Sequence, residues 1–101
     1  MDQYDHILKT PTELKTLAID FTDQLGTGVT ISSGTVAAVD MESGATTSGT
    51  VLGSTTATIS GNEARAVIRA GTNGTDHRIT FTVTLSDSSV LQYTVVMEVR
   101  A

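Results

Sequence analysis

The sequence has no cysteine, no tryptophan and a single proline in 101 residues. Without cysteine it is no disulfide scaffold and no zinc finger, and its stability does not depend on redox state. Only four residues are aromatic, so a carbohydrate-binding sandwich, with aromatic side chains spread over one face, has little to be built from. Six basic side chains stand against eleven acidic ones, for a net charge of −5, which repels phosphate and sets free nucleic acid aside as a partner. No apolar run approaches the roughly 20 residues that span a bilayer, so no membrane partner is expected. The start, Met1-Asp2-Gln3-Tyr4-Asp5-His6, is acidic and lacks an apolar stretch after a basic start, so a secretory signal is not expected either. Gly-x-Ser-x-Gly is absent, and Gly71-Thr72-Asn73-Gly74 lacks the lysine of a phosphate loop. The expectation is a protein that is no enzyme and carries no cofactor and no metal.

What is abundant is the β-branched hydroxyl. Nineteen Thr and nine Ser accompany ten Val and six Ile, residues that fit a pleated, half-buried surface. Period-two alternation recurs along the chain. Leu17, Ile19 and Phe21 oppose Ala18, Asp20 and Thr22; Val29 and Ile31 predict a short strand ending at Ser33-Gly34; Val36–Met41 predicts another, with either set of residues inward. Ser43–Gly49 reads as a loop and Val51-Leu52 as the start of a short strand, with no helix beyond one turn at most at Thr12-Glu13-Leu14-Lys15. Gly61-Asn62 predicts a hairpin turn, after which Ala64, Ala66, Ile68 and Ala70 face inward. The clearest hairpin joins Ile79, Phe81, Val83 and Leu85 to Leu91, Tyr93, Val95, Met97 and Val99. About seven short strands with turns between them predict an all-β, antiparallel β-sandwich. Residues 16–101 form that domain, and residues 1–15 an extended N-terminal arm.

Chemistry-bearing residues do not converge. His6 and His77 have no metal-ligand spacing, and a site from Asp2, Asp5 and His6 is disfavoured. His77 reads as a turn or strand-end residue and Tyr93 as core. Arg65, Arg69 and Arg78 are candidates for a shared basic face. Asp20 and Asp23 flank a strand end as turn carboxylates or as part of an acidic docking face, since residues 1–50 carry seven acidic side chains against two basic ones. Tyr4, Ile7 and Leu8, ahead of Pro11, are too apolar for a free tail; they either cover an edge of their own sandwich or dock on a neighbouring subunit. Tyr4, Ile7, Leu8, Pro11, Asp20 and Asp23 are therefore the expected protein-interface residues.

Lys9-Thr10-Pro11-Thr12-Glu13, then Ile19-Asp20-Phe21-Thr22-Asp23-Gln24-Leu25-Gly26 and Ile31-Ser32-Ser33, resemble the opening of the phage fibre–tail adaptor proteins. Phe21 and Thr22 stand where that family usually has Trp and Ser. The Gly71–Gly74 turn and two closing strands also fit, whereas His77-Arg78 depart from a usual Tyr, and residues 36–60 match nothing. The resemblance implies an Ig-like virion component without catalysis, assembled in the bacterial cytoplasm. Its implied role is an adaptor joining neck, tail or fibre components as a homo-oligomer in a symmetric assembly. Its implied partners are other virion proteins: portal or neck, tail, fibre or capsid. The alternatives are a capsid decoration protein and a small ligand-binding sandwich.

Overall fold

The structure is a computed structural model that describes residues 4–100, with side chains from Ile7 onward. Seven strands form two sheets. One has the order β1 (Tyr4–Lys9), β7 (Val90–Val99), β6 (Asp76–Leu85), β3 (Ile31–Asp40); the other β2 (Lys15–Asp20), β5 (Glu63–Ile68), β4 (Thr58–Ser60). The runs β7-β6-β3 and β2-β5-β4 are the central strand orders of an immunoglobulin sandwich, so the fold is the expected Ig-like one. All pairs are antiparallel except β1 with β7, which run parallel.

Alternation builds the core. Ile79, Phe81, Val83 and Leu85 of β6 and Val95, Met97 and Val99 of β7 are buried, as are Ile19, Ala64, Ala66 and Ile68 of the facing sheet. Ala64 and Ala66 lie in register beside Ile19 and Leu17 of β2. Phe21, just beyond β2, is 1% exposed and meets Tyr93 of the other sheet edge-to-face at 6.2 Å. Truncating a buried Phe of this kind costs about 3–5 kcal/mol. The β4–β5 hairpin turns at Gly61-Asn62 as expected, with Gly61 at φ 60°.

Several expectations change. Val29–Gly34 and Val36–Met41 are not two strands: Ile31–Asp40 is one, with a register shift near Ser32 and Gly34, Val36 and Ala38 buried. Gly34 looked like a turn residue, but it serves packing. A Cβ there would lie 3.2 Å from Val83 Cγ1 and 3.3 Å from both Ala57 Cβ and Ile59 Cδ1. Ala70 is exposed, not inward, because β5 ends at Ile68 and Ala70 adopts φ 51°. Ser48–Val51 is one helical turn, α1, where no helix was expected, and Leu52 makes only an isolated bridge to Ile68.

That turn belongs to a strap, residues 45–57, which closes the β3 edge and ties it to the facing sheet. Its Ala45 and Thr55 carbonyls accept from Asp40 and Val36 on β3, while its Thr47 and Ala57 N–H groups donate to Ala38 and Gly34. On the facing sheet, Gly53 N–H donates to Val67 and Val51 O accepts from Arg69. Ser48, buried, takes the Ala38 N–H at 2.9 Å. The backbone groups of β3 that face away from β6 are thus paired rather than left as an exposed edge.

The tight fit at Gly34 is testable. Gly34→Val overfills the contact between the sheets and is expected to lower unfolding stability by about 1–3 kcal/mol in urea titration; an unchanged midpoint would show that the strand is looser than described.

Candidate functional site

The opposite side of the sandwich is open. β1 ends one sheet and β2 the other, and the link Thr10–Leu14 carries the chain from one edge to the next. Among the described residues, no backbone hydrogen bond pairs the outward edge of either strand. On β1, Lys9 O accepts from Arg100 N–H beyond β7. Strand alternation therefore turns the backbone groups of Leu8 outward, where Lys15 Nζ reaches the Leu8 carbonyl at 3.3 Å.

The expected interface residues are distributed along this side. Tyr4 pairs in register with Thr94, Ile7 with Met97 and Leu8 with Glu98. Ile7 is half-buried against the core, whereas Leu8 is 60% exposed. Pro11 is half-buried in the link, and Asp20 and Asp23 are exposed at the far end of β2. The structure thus places Tyr4, Ile7 and Leu8 on β1, Pro11 in the link that follows it, and Asp20 and Asp23 at and beyond the end of β2; the side chain of Tyr4 lies outside the described residues. Asp2 lies outside the described residues, and so do the side chains of Asp5 and His6. Among the described residues, no three His, Cys, Asp or Glu side chains gather to hold a metal.

The short motifs turn out to be folding devices. Glu13 Oε1 accepts the Thr10 N–H at 2.8 Å and Glu13 N–H returns to Thr10 O; the first of these bonds holds the Glu13 carboxyl below its ordinary value. Lys9 is 1% exposed, its ammonium donating to Thr10 O at 2.7 Å and Ala70 O at 2.6 Å. Burial pulls its pKa down, against the pull of Glu13. The Lys-x-Pro-x-Glu sequence therefore closes the link and pins it to the β5–β6 loop. Asp20 accepts the hydroxyl and N–H of Thr22 at the single 3-10 turn Thr22–Gln24, and those bonds depress its pKa.

Arg65, Arg69 and Arg78 do not share a face. Arg65 on the outer side of β5 and Arg69 just beyond its end border a shallow depression floored by Val67 and rimmed by Leu14 and Gly53. Arg78 is on β6 in the other sheet. Arg65 is tied to Glu63 at 2.8 Å. Arg100 clamps the strand ends, bonding Asp76 at 2.9 Å and Val99 O at 2.8 Å.

Against this geometry, residues 9–98 match the family described as podophage GP4 fiber-tail adaptor protein gp77. The chain belongs to that family. None of the curated proteins compared with the chain matches it. The fiber-tail adaptors are structural components of the particle, so membership supports a structural role over catalysis. The matched span takes in the Lys9–Glu13 link, the Ile19–Thr22 segment, β6 and β7 as far as Glu98, and it begins at the last residue of β1.

Sequence reasoning missed a buried histidine network, for which spacing carries no signal. His77 is 3% exposed. Thr75 donates its hydroxyl to Thr72 O at 2.6 Å, so it accepts from His77 Nε2 at 3.0 Å. Nδ1 is then left to accept from the Thr47 hydroxyl of the strap, also at 3.0 Å. The neutral ring satisfies every partner. Burial depresses the His77 pKa below its ordinary 6.5, although Asp40 and Asp76 pull it up. A depressed folded pKa means the unfolded chain binds more protons, so the stabilisation is complete above pH 6.5 and is lost as pH falls toward the folded value. Unfolding stability is expected to drop as pH falls below 6.5, and His77→Gln is expected to flatten that slope; an unchanged slope would assign it to other groups.

Proposed function

We propose that this chain is a non-enzymatic adaptor of a podophage virion that joins fibre to tail through the open β1/β2 side of its sandwich. The family match supports the adaptor role, and one structural observation supports the docking side: the strap pairs the backbone along β3, and of the edges left, β1 and β2 have six residues each against three in β4, so they are the longer templates. An unpaired strand edge is a template for a partner strand, and here two such edges adjoin the half-buried Ile7 and the exposed Leu8. Asp20 and Asp23 add an acidic rim at the far end of β2 for a basic neighbour. The mechanism is assembly: main-chain pairing supplies affinity, and the side chains along the edge select the partner.

The family description supports this reading over a capsid decoration protein, and the scarcity of aromatics weighs against a sugar-binding module. Leu8→Asp tests the docking side without touching the core. The variant is expected to fold with wild-type stability, within about 0.5 kcal/mol, and to be depleted from particles when it is the only copy supplied. Incorporation at the wild-type level would place the docking surface elsewhere.

A further inference from the structure

The outer face of the four-stranded sheet differs from that of its partner. In the three-stranded sheet the central strand β5 carries Arg65 outward, and Arg69 follows just beyond its end beside the same depression. In the four-stranded sheet the middle of the face is built from Thr80 and Thr82 of β6, Gln92 and Thr94 of β7, and Thr35 and Ala37 of β3, brought side by side by the strand registers. None of these is charged. The charges of β6 and β7 stand at the margins: Asp76, Arg78 and Glu98 at one end and Asp87 in the hairpin turn at the other. A charge-free centre with a charged rim is the composition of an interface rather than of an ordinary solvated sheet.

We infer that this face is a contact between two copies of the chain, packed sheet to sheet about a two-fold axis. Three physical arguments select a second copy over a different partner. Each copy carries −5, so two copies repel, and a centre without carboxylates is where they approach at least electrostatic cost. A hydroxyl both donates and accepts, so a threonine face is complementary to itself, as an ammonium or carboxylate face is not; Gln92 already donates to Thr82 within one copy at 3.3 Å. Threonine is also stiff at χ1, so ordering it on association forfeits little rotamer freedom. The size suits the role. β3, β6 and β7 have ten residues each and β1 six; at about 4.8 Å between strands and about 3.3 Å per residue they make a face of roughly 570 Å², near the roughly 600 Å² that each partner buries at the low end of specific interfaces. The same face on both copies makes the contact isologous and closed. It leaves the β1/β2 side free for fibre or tail components.

The inference rests on the adaptor reading, in which the chain works within a symmetric assembly. Its test is the association state of the purified protein by sedimentation velocity up to about 1 mM, for the wild type, Thr82→Arg, Gln92→Arg and, on the opposite sheet, Arg69→Glu. The wild type is expected to dimerise. Either arginine variant sets like charges face to face and is expected to weaken the dimer at least about 100-fold, while Arg69→Glu leaves it intact. Thermal unfolding of each variant checks that the monomer is folded, and Gln92, exposed on β7, serves if Thr82→Arg does not fold. A wild type that stays monomeric throughout, or a dimer that both arginine variants leave unchanged, overturns the inference. Presence of the chain in purified particles is scored separately. A monomer that is still found in particles defeats the two-fold contact alone, whereas absence from particles defeats the adaptor reading.

Discussion

Strand edges are the constraint on which this structure depends. Two open sheets have four edges, and each unpaired edge is a row of backbone donors and acceptors that something must pair, wet or cover. This chain spends residues 45–57 on one side of the sandwich, and the cost shows in the buried polar groups that come with the strap. Ser48 is 9% exposed and bonds the Ala38 backbone, and the Thr47 hydroxyl is taken up by the buried His77 ring. On the other side, β7 is covered by β1, which becomes an edge in its turn. The molecule is therefore asymmetric in a way that composition does not reveal, with the β3 edge closed by its own chain and the longer edges of β1 and β2 left as strands.

The same constraint explains the clustering of polar chemistry at one end. There β1 finishes, β6 begins and β7 finishes, so three strand ends share a small region. Lys9 spans Thr10 and Ala70, Arg100 spans Asp76 and Val99, and His77 spans Thr47 and Thr75. Each long polar side chain satisfies carbonyls or hydroxyls that the sheets leave unpaired. These groups resemble the parts of an active site, yet their hydrogen bonds are spent on backbone and on one another.

Much of the fold was legible because alternation has a simple cause. A strand half-buried in a sandwich must turn every second side chain inward, and Ile79–Leu85 and Leu91–Val99 carry that pattern without interruption. It was misread where a residue had a second role. Gly34 ended a strand on paper because glycine usually marks a turn, but here its missing side chain makes room for Val83, Ala57 and Ile59. The strap was invisible because small polar residues without periodicity pair as readily by isolated bridges as they form loops. The opening residues were legible as a family motif and as apolar, but their pairing was not. Nothing in Tyr4–Lys9 states that it lies parallel to a strand some ninety residues away, or that Lys9 is buried on carbonyls. The candidate site was thus readable as a set of residues and unreadable as a geometry, since an edge is a property of two sheets and not of one segment.

The most direct measurement of the adaptor account is the copy number of this chain in purified particles of its phage, by quantitative mass spectrometry against the other virion proteins. The account predicts a small fixed number, on the order of tens at most, as expected of a component that repeats around a single symmetric tail. Hundreds of copies would put the chain on the capsid surface and contradict it, as would its absence from the particle.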